Sequence, residues 1–136
     1  MIPSLKQIIA AIIVIVTMDL LWVGYFMAGF YQSHLRPILN FVDGTLSPRI
    51  IPVVITYATM VLLVSCVATP LAKAYGHGSH FHTFLIGAFL GLVVYGLYNF
   101  TNLSLLKNWD YTLAIVDSLW GAIIFGVATL IVSLVG

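Results

Sequence analysis

The sequence predicts an all-α integral membrane protein, an antiparallel bundle of four transmembrane helices with a short interfacial helix between the first two. Three observations carry this expectation. Of 136 residues, 62% are hydrophobic and 7% charged, far from the roughly half-apolar composition of soluble domains. Four apolar runs, about 8–31, 50–72, 81–106 and 111–135, each reach the ~20 residues that a hydrocarbon layer of about 30 Å requires at a rise of 1.5 Å per residue. The segments between them are short and hold most of the charges, so residues 1–136 read as a single transmembrane domain whose successive helices pack antiparallel.

The first run is longer than the apolar region of a secretory signal and carries Asp19 at its middle, which marks it as a retained helix. In the connector from Gln32 to Arg49, Leu35, Ile38, Leu39 and Val42 recur at helical spacing between Pro37 and Gly44, predicting an interfacial helix in the headgroup region. Pro52 falls in the opening turn of the second span, where a missing N–H is harmless, and Pro70 falls near its end, so neither is expected to break it. The second connector, AYGHGSHFH, and the third, around Lys107–Asp110, are tight. Cys66 stands alone, which excludes an intramolecular disulfide and any paired-cysteine zinc site. A net charge of +1 from scattered basic residues argues against a nucleic-acid partner. Lys6 and Lys73 flank one side of the membrane and Arg36, Arg49 and Lys107 the other, a tie once the terminal amine is counted.

Chemistry enters with two aspartates inside the apolar spans, Asp19 and Asp117, each opening the pattern Asp-x-Leu-Trp. A charge near the bilayer centre costs roughly 2.5–3.5 kcal/mol on insertion scales, so an intramembrane acid needs a partner or a function. No Lys or Arg lies within the four runs to serve. On the third span Gly87 and Gly91 form a GxxxG step whose stripe continues through Tyr95, Tyr98, Asn99 and Asn102. The fourth span has a small stripe through Ala114, Ser118 and Ala122, bordered by Asp117 and Gly121, so Gly87, Gly91, Ser118 and Gly121 are the expected packing positions. Counted from the surface where the first span exits, Trp22 and Trp120 come out at roughly 13 Å depth, Asp117 at about 9 Å, Asn99 at about 10 Å, Asn102 at about 6 Å and Asp19 at about 18 Å. Asp19, Trp22, Tyr95, Tyr98, Asn99, Asn102, Asp117 and Trp120 therefore converge in one half of the membrane as a candidate ligand-binding cavity. Singly, each polar residue is ordinary interhelical glue worth about 0.6 kcal/mol, and tryptophans commonly form interface belts; these two sit deeper than a belt does.

Acids without basic partners either stay protonated or hold a cation or an exchangeable proton, which disfavours an anionic substrate. The aromatic faces suit an organic cation or a neutral, lipid-like molecule. His77, His80 and His82 gather in the second connector as weak metal candidates, and no metal or other cofactor is expected. GxSxG, HExxH, P-loop and dinucleotide fingerprints are absent from the sequence.

Taken together, Asp19-Leu20-Leu21-Trp22, Phe30-Tyr31-Gln32 with Leu35 and Pro37, the stretch Tyr95 to Leu103 with Trp109, and Asp117 to Gly121 resemble domain-of-unknown-function family 2177, small bacterial membrane proteins. The most specific pieces are YNFTNLSLLKNW and VDSLWG, and the resemblance covers nearly the whole chain. It implies a four-helix fold in the bacterial cytoplasmic membrane; the even number of spans itself places both termini on one side, expected to be the cytoplasmic one. It also implies, by association with lipid-modifying genes, a role around envelope lipids. In that family an aspartate commonly occupies the position of Asn99, so this chain departs by losing an ionisable group.

Three functions fit these features. The first is a protein that binds or transports a proton-coupled, cationic or lipid-like small molecule, with a homodimer completing the pathway through the bilayer. The second is an enzyme acting on a membrane lipid, with Asp117 as its acid or base. The third is an accessory subunit that sets the GxxxG face against a partner. All three share one topology: reporter fusions at Met1 and Gly136 should give the same sidedness, and opposite signals would remove one helix.

Overall fold

A computed structural model describes residues 2–136. It contains four helices long and apolar enough to cross a membrane, Leu5–Phe26, Ile50–Tyr75, His80–Leu105 and Tyr111–Val135, referred to below as the first to fourth spans. Three of the four starts carry a side-chain cap. Ser4 and Gln7 form a reciprocal capping box before the first span, with bonds of 3.3 and 3.0 Å. Ser79 accepts from the amide of His82 at 3.3 Å, and Asp110 accepts from that of Leu113 at 2.8 Å, opening the third and fourth.

The run 8–31 is not one helix. Over Trp22–Phe26 the ladder widens to a π turn, and the amide of Met27 donates five residues back to the Trp22 carbonyl at 2.7 Å. Met27 then leaves the helical region, with φ −117 and ψ 15, and a separate helix runs over Ala28–Leu35. Apolarity continues across the break, so hydropathy cannot reveal it. The interfacial helix expected around Leu35–Val42 is corrected as well. Beyond Leu35 the chain forms a two-stranded antiparallel hairpin in which Phe41 pairs with Leu46 and Val42 with Thr45. Asp43 and Gly44 make its turn with φ of 51 and 76, the two left-handed residues that a tight hairpin turn of the Asp-Gly type demands. That local geometry overrides the helical spacing of the apolar residues.

The second span passes both prolines. Its own π turn, Val64–Ala68, directly precedes Pro70, which offers no N–H and whose ring would crowd the carbonyl four residues back. The wider turn relieves this crowding without ending the helix.

The fourth span is the hub. Half of its apolar window is buried inside the protein, against 11–22% for the other three. One core surrounds Trp120, Ile124, Phe125, Ala128 and Val132, against which Ala11 and Ile15 of the first span and Met60, Val61 and Val64 of the second pack. A smaller one joins Tyr31 and Leu35 to Trp109, Leu113 and Ala114. The longest seam lies between the third and fourth spans. There a Cβ on Gly91 would strike the Gly121 carbonyl and Phe125, and one on Gly87 would strike Thr129 and the Phe125 carbonyl. Gly121 in turn lies under the Tyr95 ring. The seam is therefore internal, which takes away the accessory reading in which the GxxxG face meets a partner. Large apolar side chains such as Ile51, Leu97 and Phe26 point outward to lipid.

Gly91→Leu should be overpacked by on the order of 1–3 kcal/mol, lowering the thermal unfolding temperature of the detergent-solubilised protein. Gly96→Leu on the same helix, where a Cβ meets nothing within 4 Å, should leave it unchanged.

Candidate functional site

Two acid centres form where the first and fourth spans cross. Asp117, on the fourth, is 9% exposed and accepts from the Tyr31 hydroxyl at Oδ1, 2.7 Å, and from the Asn99 carboxamide at Oδ2, 2.6 Å. Asp19, on the first, accepts from the Tyr57 hydroxyl at Oδ2, 2.8 Å, and from the Trp120 indole at Oδ1, 3.2 Å. Each carboxylate oxygen thus has one donor, and every donor is neutral. Among the described residues neither acid is paired with a Lys, Arg or His; the ion pair present, His34 with Asp110 at 3.5 Å, lies elsewhere.

The two Asp-x-Leu-Trp segments interlock. Trp22 and Trp120 stack with centroids 4.5 Å apart and planes within 5°. Helical spacing places each tryptophan three residues beyond its own aspartate, one turn along the same helix face. From there each indole serves the opposite centre. Trp120 donates directly to Asp19, and Trp22 donates at 2.9 Å to the Tyr31 oxygen, which donates on to Asp117. Asn99 extends the second centre: its amide also donates to the Tyr95 carbonyl at 2.9 Å, and its oxygen accepts from the Trp109 indole at 3.1 Å. This leaves Asn99 fully buried and held at three points.

Of the residues the sequence singled out, Asp19, Trp22, Tyr95, Asn99, Asp117 and Trp120 come together. Tyr98 is 56% exposed and lies edge-on to Trp109, with centroids 5.6 Å apart, and neither it nor the half-buried Asn102 bonds to a carboxylate. Three participants were not anticipated. Tyr31 reaches Asp117 from the separate helix that starts after the break at Met27, Tyr57 brings in the second span, and Trp109 arrives from the connector before the fourth. Donor arithmetic could have found them, because two carboxylates without cations must draw on the few phenols and indoles at their depth. Ser118 is buried with an unpartnered hydroxyl. His77, His80 and His82 do not converge, and among the described residues no three His, Cys, Asp or Glu side chains are grouped to hold a metal.

Beside the stacked indoles lies an apolar groove of about 240 Å³, lined by Met18, Leu21, Trp22, Phe26 and Trp120 and open towards lipid. Behind it Asp117 is buried, whereas Asp19 is only half-buried. Indole N–H groups only donate, so the tryptophans fix geometry, whereas the phenol–carboxylate pairs Tyr31–Asp117 and Tyr57–Asp19 can hold or pass a proton.

Tyr31→Phe removes the donor to Asp117 and the acceptor of Trp22 at once. Stranding these groups should destabilise by about 1–3 kcal/mol, read as a lower unfolding temperature in detergent together with loss of the coupled-indole signal in circular dichroism. Tyr25→Phe, at an exposed ring, should change neither.

Comparison with known proteins adds the family. No curated protein and no solved structure matches the chain. A family model described as a predicted membrane protein, DUF2177, matches residues 4–134. The chain thus belongs to the DUF2177 family of membrane proteins.

Proposed function

We propose that this multi-pass membrane protein binds, and carries between environments, a neutral or cationic lipid-like molecule together with a proton taken up at the paired carboxylates. One observation carries the reading: two carboxylates embedded among apolar helices are held by neutral donors alone, directly behind an indole pair that borders a lipid-facing groove. A structural ion site would bring a counter-charge; a proton-binding site needs none.

The coupling follows from shared atoms. A molecule seated against Trp22 and Trp120 competes with their stack, and separating the rings withdraws the Trp120 N–H from Asp19 and the Trp22 N–H from Tyr31. A carboxylate that loses a donor in a low-dielectric site gains affinity for a proton. Ligand entry and proton uptake therefore favour one another, and by linkage the effect is reciprocal. The π turn at Trp22–Phe26 supplies the local give, because it loosens the helix at the point where the stack must open.

A second reading has its own support. Every carboxylate oxygen has a hydrogen-bond donor, as expected of a polar lock that merely fixes four helices. The two readings part at Asp117→Asn. The carboxamide can turn its oxygen to Asn99 and its amide to the Tyr31 oxygen, so the variant should fold with little loss of stability. In nanodiscs, the pH titration of tryptophan emission and its quenching by lipids brominated in their acyl chains should each show a transition in the wild type that the Asn variant lacks. An identical transition in both proteins sinks proton coupling and leaves the lock. Asp117→Leu, by contrast, should also destabilise by about 1–3 kcal/mol, because Asn99 and Tyr31 lose their acceptor.

A further inference from the structure

A polar cavity lies at the opposite end of the bundle, where the second and fourth spans end and the third begins. It has a volume of about 270 Å³ and is lined by Ala72, Lys73, Gly78, His80, Thr83, Leu130, Ser133 and Leu134. Its chemistry is the reverse of the aspartate centres. None of the chain's four acidic residues lines it, and Lys73, in the last turn of the second span, contributes an ammonium.

Three further features converge on it. The third span is 26 residues long and starts at His80 with no acid in its first turn, so its positive end and the amides of His80 and Phe81, which have no acceptor within the helix, are uncompensated. Ser133 lines the cavity with a buried hydroxyl that has no partner. Thr83 is 8% exposed, lines the same space, and its hydroxyl finds no hydrogen bond among the described residues. Buried hydroxyls without partners are uncommon, because each forfeits a solvation that some other group normally replaces. His77 and Gly78 take left-handed φ of 51 and 72 ahead of the Ser79 cap, and Gly78 itself lines the cavity.

A cation, a helix N-terminus and two unpartnered hydroxyls surround one cavity with no carboxylate side chain among them, and a group that answers such a set is a phosphate. The remaining lining, Leu130 and Leu134, is apolar and belongs to the last turns of a helix that borders lipid. We infer that this cavity holds the phosphodiester of an anionic phospholipid, with Lys73, Thr83 and Ser133 on the phosphate and an acyl chain lying along Leu130 and Leu134. The site is separate from the aspartate centres, and the inference does not rest on the function proposed for them.

The test compares unfolding temperatures of the full chain in nanodiscs of phosphatidylcholine alone and of phosphatidylcholine with phosphatidylglycerol. Phosphatidylglycerol should stabilise the wild type by several degrees. Lys73→Gln and Thr83→Val should each lose at least half of that gain, while Thr83→Ser and Lys6→Gln, a lysine outside the cavity, keep it. Each variant is referred to its own value in phosphatidylcholine, so a variant of lower intrinsic stability still reports on the lipid. A full phosphatidylglycerol gain in Lys73→Gln overturns the site. Inorganic phosphate added to phosphatidylcholine nanodiscs should have no effect, and an equal gain from it would overturn the lipid assignment in favour of a soluble phosphate.

Discussion

A carboxylate within the hydrocarbon layer has no water to turn to, so whatever it binds must come from the protein and must arrive by folding. Asp117 meets this constraint by drawing in Tyr31, a residue of the helix beyond the first span, and the rest of the arrangement follows from that bond. The helix is broken on the way to the phenol: the first span ends in a π turn, Met27 leaves the helical region, and the next helix begins afresh. With Tyr31 in place, Trp22 has an acceptor, the two indoles can stack, and Trp120 is aimed at Asp19. Tyr57 then joins the second span to the same set. The four helices are positioned by how two acids find four donors as much as by apolar contact.

The bundle was legible in the sequence because length and hydropathy are all that a lipid solvent asks of a span. The Asp-x-Leu-Trp segments stood out for a similar reason, since acids are rare in such surroundings. What could not be read was direction. Hydrophobic periodicity is weak where lipid and core are equally apolar, so nothing marked which face of the first run turned inward, nor that Met27 would interrupt it. The hairpin at Phe41–Leu46 is a different kind of omission. Asp43-Gly44 is a strong local turn signal, and the four apolar residues at helical spacing beside it mask it. Tyr31 and Trp109 stood among the residues that carried the family resemblance, but no local pattern assigned them a role; only their hydrogen bonds to Asp117 and Asn99 do.

The two ends of the protein are chemically unlike. One half of the bundle concentrates carboxylates with neutral donors, and the other collects a lysine, histidines and hydroxyls without acids. Such polarity along the membrane normal is what a molecule crossing between unlike surroundings would meet in sequence. It also separates the demands on the fold, because groups that hold protons and groups that hold phosphate would neutralise one another if they shared a cavity.

The central position of the fourth span has a consequence for biogenesis. Membrane helices leave the ribosome in order, and here the three that emerge first have their shared surface on the one that emerges last. Until it inserts, Asp19 lacks the Trp120 indole, the Gly87 and Gly91 face lies bare to lipid, and Tyr31 has no acceptor. The nascent chain must therefore wait in the bilayer as a loosely associated trio, exposed for that interval to insertion chaperones and membrane proteases. Tertiary structure is then acquired in one late step rather than helix by helix.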